Sequence, residues 1–480
     1  MMPTIPKVSE QIEAWVHSGS ESTQIKTDGL ELTLEESLRH LPKKRLTCRA
    51  NWQGRIVIAK FFYGNGFAKY ASKEQQILNA LLGAGINTPT LLKVYQQNDF
   101  TVLIIDYIAE AISLLSWLKN EPTECQFQSV ISEATTLMLA CHKAGFDIKD
   151  QHLGNFLLRK NQVSIIDAGD IKQLSSSLNN KRSINNIALL YAQFPVTRDD
   201  IAYQILVNSL TGLNQSILLD EKRWQQLLLK QRRWRQKRFI DKKVFRECTA
   251  YICKSNCSRF LVAKRDIYTK ELEVALFNPD ALIENGLLLK DGKTATVAQV
   301  EISGQTYVLK RYNIKKPVHA IIRSLKWSRA AVSWRNGLLL EMLGIPTATS
   351  YALIEERWGP LRRRSYLLSE YIDAPQAWEV FEGECFTEQE KMTWAKNLYN
   401  LFVLLKRSQI SHGDLKAQNI LCPSSGALFI DLDGMKAKQS LQRFTRQFKK
   451  DIKRFLLSWP LKIKDGPYFF KKILLLLDDN

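Results

Sequence analysis

Two stretches of the chain carry the same polar residues at the same intervals. In Asp150-Gln-His-Leu-Gly-Asn155 and in Asp414-Leu-Lys-Ala-Gln-Asn419, an Asp is followed five residues later by an Asn. An apolar, strand-like run then leads to a second Asp, in Ser164-Ile-Ile-Asp167 and in Leu428-Phe-Ile-Asp431. All three residues recur at a constant separation of 264. Upstream, Lys60 in Ile56-Val-Ile-Ala-Lys60 and Lys310 in Thr306-Tyr-Val-Leu-Lys310 each end a β-rich segment, 250 residues apart. An isolated Asp before an Asn is usually a turn or a helix cap; the duplicated order and the upstream lysines argue for chemistry instead. Lys, Asp, Asn and Asp in this order suit phosphoryl transfer, which needs phosphate neutralisation, a placed Mg²⁺ and an acceptor for the hydroxyl proton. Lys60 and Lys310 would clamp the phosphates, and Asp150 and Asp414 would take the proton. Asn155, Asp167, Asn419 and Asp431 would hold Mg²⁺ through hard oxygen ligands.

The elements around these residues repeat as well. Gly85-Ile-Asn-Thr88 matches Gly344-Ile-Pro-Thr347 at a separation of 259. Alternation and β-branched residues predict strands at both lysine segments, each after a turn, at Asn51-Trp-Gln-Gly54 and Ser303-Gly-Gln305. A helical stretch follows each lysine. At 480 residues the chain is about twice the size at which a single hydrophobic core stops growing, so two domains are expected. The expected division is 1–240 and 241–480, with Trp224–Arg238 a helix closing the first half and the stretch from Cys248 to Leu276 a lead-in to the second.

His412-Gly-Asp414-Leu-Lys416-Ala-Gln-Asn419 resembles the catalytic loop of the protein-kinase-like superfamily, and Asp431-Leu-Asp433-Gly434 resembles its metal motif. More narrowly, both halves resemble the bacterial lipopolysaccharide core kinases that phosphorylate Kdo or heptose. The residues that carry this are Lys310-Arg-Tyr-Asn313, Ser333-Trp-Arg-Asn336, Gly344-Ile-Pro-Thr347 and Ser411-His-Gly-Asp414, with Gly154-Asn155-Phe156-Leu157-Leu158 in the first half. The likeness runs from about residue 45 to about residue 455. It implies an α+β fold of two tandem kinase-like domains, each a small β-rich N-lobe and a helical C-lobe. It also implies ATP and Mg²⁺ as cofactors and a lipopolysaccharide core glycolipid as partner. The backbone at Tyr107-Ile108 and at Tyr371-Ile372 would then meet the adenine.

The departures from the pattern are specific. Neither half has a G-x-G-x-x-G loop, so phosphate cover is expected from hairpin backbone. Glu74, fourteen residues after Lys60, fills the role of the helix glutamate that orients the lysine in kinases. At the equivalent position the second half has Ser333, with Glu341 two turns on as a poor substitute. Conversely, Ile148 stands where His412 supports the second loop. His142 and His152 read as packing or loop residues. These departures keep a pseudokinase scaffold open as an alternative, along with a kinase of another acceptor, a protein or a small metabolite.

The charge bears on the partner. Sixty-eight Lys and Arg against 48 Asp and Glu leave a net charge of +20, which calls for an anionic partner. Two stretches concentrate it. Lys222 to Lys243, interleaved with Trp224, Trp234 and Phe239, reads either as an interfacial amphipathic helix or as a core-packing helix with a solvated basic face. Lys436 to Arg454 is the second stretch. Together they fit an anionic inner-membrane surface, and no recognisable module calls for nucleic acid. Met1–Lys7 lacks a signal-peptide core and no run is long enough to span a bilayer. The expected location is therefore the cytoplasm, peripheral on the inner membrane. Cys248, Cys253 and Cys257 cluster without zinc spacing and read as reduced thiols beside a strand.

Overall fold

The computed structural model describes residues 7–18, 22–27, 29–212, 220–313, 326–382 and 386–459. They form two compact units of mixed α+β structure. The first takes the chain up to Tyr191 together with Asp200–Trp224, and the second takes Ala192–Asp199 together with the chain from Gln225. Against the expected division after residue 240, the boundary runs through helix Glu221–Arg238.

In the first unit, strands β1 (Thr23–Thr27), β2 (Leu30–Leu41), β3 (Arg45–Trp52), β4 (Arg55–Tyr63), β5 (Leu91–Gln96) and β6 (Phe100–Asp106) form an antiparallel sheet ordered β1-β2-β3-β4-β6-β5. Side chains alternate across a strand. Val57, Ala59 and Phe61 of β4 join the core that helix α1 (Val8–Ser18) covers with Val8, Ile12 and Trp15. Lys60 and Phe62 must then face the opposite side, where helix α2 (Phe67–Gly83) lies. The buried stripe of α2 is Ala71, Glu74, Ile77, Leu78 and Leu81. Its spacing of three and four residues places a carboxylate on an apolar face, which is costly unless a cation meets it. Helix α3 (Glu124–Lys143), started by a Thr123/Gln126 capping box, packs against the strands Phe146–Ile148 and Gln162–Ile165 that precede Asp150 and Asp167.

The second unit builds a larger sheet. Strands β7 (Tyr251–Ser255), β8 (Arg259–Lys264), β9 (Leu287–Gly292), β10 (Ala295–Ile302), β11 (Gln305–Tyr312), β12 (Ser350–Trp358) and β13 (Leu361–Glu370) pair antiparallel in the order β7-β8-β12-β13-β11-β10-β9. The stretch from Cys248 is thus part of the sheet itself, its two strands extending the β12 edge. The lysine strand and the strand before it meet through Gln53-Gly54 in the first unit and Ser303-Gly304 in the second. All four residues have φ between +53° and +82°. Positive φ at both turn positions is the I′ geometry that matches strand twist, and the glycines supply it without strain.

Helix α4 (Glu221–Arg238) is a packing helix. Within the second unit it buries Leu228, Arg232 and Gln236 at intervals of four, while Trp234 is exposed. Arg232 is tolerated inside because both its terminal nitrogens reach Asp199, at 2.7 and 2.6 Å, and one donates to the Phe194 carbonyl. Helices α5 (Arg329–Leu343), α6 (Glu388–Ser408) and α7 (Leu441–Leu457) supply the large core around Trp334, Leu398, Phe402, Phe429 and Phe455. Among the described residues no helix is long and apolar enough to cross a membrane. Asp199→Ala, which strands a buried guanidinium, is expected to lower the stability of the second unit by about 3–5 kcal/mol. Trp234→Ala should change it by less than about 0.5 kcal/mol. Urea unfolding of both variants checks this.

Candidate active site

Each lysine lies on the strand that pairs with the last strand before the linker to the helical part. Lys60 is opposite Leu103 of β6 and Lys310 opposite Leu367 of β13. Tyr107-Ile108 and Tyr371-Ile372 follow directly as these strands end, beyond Asp106 and Glu370, which sit opposite Val57 and Tyr307. The linkers therefore leave the sheet beside the lysine strands.

In the first unit three of the expected residues, Lys60, Glu74 and Asp167, come together. Lys60 Nζ donates to Glu74 Oε1 at 2.5 Å and to Asp167 Oδ1 at 3.4 Å. Two cations not singled out from the sequence join them. Arg45 approaches Glu74 and Asp167 at 3.6 Å each, and Arg39 reaches Asp167 at 3.4 Å. Both flank the turn between β2 and β3, so the hairpin end that lacks a glycine-rich loop supplies guanidinium groups instead. Burial opposes the charge on Lys60, but the Glu74 and Asp167 carboxylates outweigh it and hold the ammonium above its ordinary value. Burial likewise raises Asp167, yet Lys60, Arg45 and Arg39 together hold it below the usual carboxylate range.

In the second unit Lys310 Nζ donates to Asp431 Oδ1 at 2.7 Å. Burial again opposes the lysine charge and is outweighed by Tyr312 and Asp431. Ser333 is buried and bonds the Tyr312 hydroxyl at 2.9 Å. Glu341 is not a substitute carboxylate: it pairs with Lys264 at 2.7 Å.

The two Gly-Ile-x-Thr repeats hold the strand before each second Asp. Thr88 donates to the Ile165 carbonyl and Thr347 to the Phe429 carbonyl, at 2.8 and 2.9 Å. The Ile166 and Ile430 amides donate in turn to the carbonyls of Asn155 and Asn419. Each metal-type Asp then sits just past a pinned strand in left-handed backbone, φ 63° at Asp167 and 60° at Asp431.

The two loops differ in how they are anchored. In the second unit Asp451 of α7 accepts from the His412 and Gly413 amides at 2.7 and 3.0 Å. It is the one acidic residue of α7 and lies in line with Phe444, Phe448, Ile452 and Phe455, a signal the sequence carries once the helix face is known. Asn419 Nδ2 donates to the Asp414 carbonyl at 2.7 Å and to its Oδ2 at 3.2 Å. Lys416 and Arg454 both contact the Asp414 carboxylate, at 3.0 and 2.9 Å. In the first unit Asn155 Nδ2 keeps the bond to the Asp150 carbonyl, at 3.2 Å. There Asn186 and Gln151 hold the Ile148 carbonyl, and Asp150 is exposed. His142 is a buried structural residue between Ser183 and Asn186.

The donor set fits Mg²⁺ held partly by a nucleotide. Among the described residues no three His, Cys, Asp or Glu side chains form a metal cluster, the three-cysteine group included. Mg²⁺ is ordinarily held by one or two protein oxygens plus phosphates and water, and an Asn amide oxygen with one Asp carboxylate meets that need.

The match to a known family falls on this second arrangement. Residues 284–465 match the family described as lipopolysaccharide kinase (Kdo/WaaP). A search of the curated proteins finds no match to the chain. Among solved structures, one of WaaP in complex with acyl carrier protein aligns at 17% identity with a TM-score of 0.32, covering 42% of this chain and 89% of that one.

His412 gives a pH prediction. It is fully buried, and burial pushes its imidazole down to about 4. A histidine depressed in the folded state stabilises above its ordinary value of 6.5 and loses that contribution as pH falls toward 4. Over that window the second unit should lose about 3 kcal/mol from this residue. His412→Leu should flatten the decline, as measured by denaturant unfolding at stepped pH.

Proposed function

We propose that the chain is an ATP- and Mg²⁺-dependent kinase that phosphorylates a sugar hydroxyl, of heptose or Kdo, on the lipopolysaccharide inner core. On this reading it consists of two tandem kinase-like domains. The observation that carries it is the convergence of Lys310 on Asp431, and of Asn419 on Asp414, inside the segment that matches the kinase family. Lys310 would neutralise the phosphates next to the linker at Tyr371-Ile372, which would take the adenine. Asn419 and Asp431 would hold Mg²⁺, which when bound offsets charge on the transferring phosphoryl group. Asp414 would orient the acceptor hydroxyl and accept its proton. Lys416 and Arg454 already neutralise the carboxylate of Asp414, and a phosphate would compete for those cations.

Lys60, Glu74, Asp150, Asn155 and Asp167 would play the same parts in the first unit, with Tyr107-Ile108 at the adenine. One feature favours a nucleotide-binding, non-transferring role there: Asp150 is exposed and its loop lacks the His412 and Asp451 supports. The outer face of α7 presents Arg443, Arg446, Lys450 and Lys453 to solvent, which suits a peripheral position on an anionic cytoplasmic membrane face. The acceptor assignment rests on the family match.

Transfer of labelled phosphate from ATP to purified core oligosaccharide tests the reading. Asp414→Ala is expected to lower kcat at least about 100-fold, and Asp150→Ala with Asp414→Ala to abolish transfer. A double variant as active as the parent would contradict it, and activity confined to a protein acceptor would move the substrate.

A further inference from the structure

Four differences between the two lysine sites fall on positions that correspond in the sequence or in space, and together they compensate one another. In the first unit the helix carboxylate is Glu74, and the residue two after Asp167 is Gly169. A Cβ on Gly169 would lie 3.3 Å from Glu74 Oε2, 3.8 Å from Asp167 Oδ1 and 4.0 Å from Arg45 Nη1. The carboxylate of Glu74 therefore occupies the space that a side chain at 169 would need.

In the second unit both residues are exchanged. The helix position holds Ser333, too short to reach the lysine, and the position two after Asp431 holds Asp433. A carboxylate missing from the helix thus returns on the loop, where in the first unit a side chain would crowd Glu74. The ring two residues after the lysine changes in step. Phe62 becomes Tyr312, whose hydroxyl bonds Ser333 at 2.9 Å, bridging to the shortened side chain.

The cation partner is conserved in place but not in origin. In the first unit Arg45, from β3, lies 5.9 Å from the Phe62 ring centre and pairs with Glu74. In the second unit Arg329, from the start of α5, lies 4.9 Å from the Tyr312 ring centre and pairs with Asp433 through Nε. Lys310 sits 5.0 Å from that same ring centre. Both sites therefore hold an arginine against one aromatic ring and two carboxylates beside the lysine, and in the second Lys310 lies against that ring as well.

From this geometry we infer that Asp433 is the positioning residue of the second site: together with Arg329 it replaces the helix glutamate and keeps Lys310 and Asp431 in phosphate-binding geometry. Ser333 then marks a relocated carboxylate and not a lost site. The inference rests on the nucleotide-site reading above.

The test is an exchange in the full chain, with Asp167→Asn silencing the first site. Titration with ATP and Mg²⁺ should show Asp433→Gly weakening binding at least tenfold. Ser333→Glu alone should also weaken it, because two carboxylates then compete for one space. The pair together should recover to within about threefold of the parent, a rescue that a merely structural role for Asp433 would not produce. A pair as weak as Asp433→Gly alone would overturn the inference. Thermal unfolding without nucleotide supplies an independent arm. The midpoint shifts of the two substitutions should be strongly non-additive, and additive shifts would overturn the exchange even where ATP binds. If the Asp167→Asn chain bound no ATP while the shifts were non-additive, the nucleotide reading of the second unit would fail and the exchange would stand.

Discussion

A lysine buried among apolar strands cannot keep its charge unless carboxylates meet it there, and this requirement organises both units. Lys60 faces α2 because the other side of β4 is committed to the α1 core. The stripe of α2 then has to include Glu74, since an unpaired ammonium at that depth costs several kcal/mol. Asp167 and Asp431 complete the neutralisation from loops whose strands are pinned by Thr88 and Thr347. The sheet, the helix after the lysine strand and the Gly-Ile-x-Thr turn are parts of one electrostatic constraint.

That constraint also explains what a nucleotide would meet. In the first unit three cations share one Asp and one Glu, and in the second two cations and an aromatic ring share Asp431 and Asp433. Such clusters are satisfied internally yet hold guanidinium and ammonium groups whose preferred partners are phosphates. The Asp414 loop repeats the logic, with Lys416 and Arg454 on one carboxylate. Binding on this reading exchanges internal ion pairs for phosphate contacts and needs no new charge brought to the site.

Much of this was legible in the sequence, for reasons that are local. The lysine strands, the turns before them and the Asp-x₄-Asn loops depend on residues within a few positions of each other, and their repetition at fixed separations identified them. Glu74 was readable because it shares a short strand–helix unit with Lys60. Arg39, Arg45 and Arg329 were not, since they reach the sites from a hairpin end and a helix start with no fixed spacing to the lysines. Asp433 read as part of a metal motif, and its pairing with Arg329 depends on Ser333 a hundred residues away. In α4 the sequence left an interfacial helix and a core-packing helix open, and did not show that Arg232 is buried, because Asp199 meets it from a distant helix start. Asp451 is one acid among many bases, and only the face of its helix shows that it is buried.

The number of ATP molecules bound per chain, measured by calorimetric titration in Mg²⁺, reads the central claim most directly. Two sites are expected, one removed by Asp167→Asn and the other by Asp431→Asn. A single site insensitive to one of these substitutions, or no binding at all, would contradict the presence of two nucleotide sites built on Lys60 and Lys310.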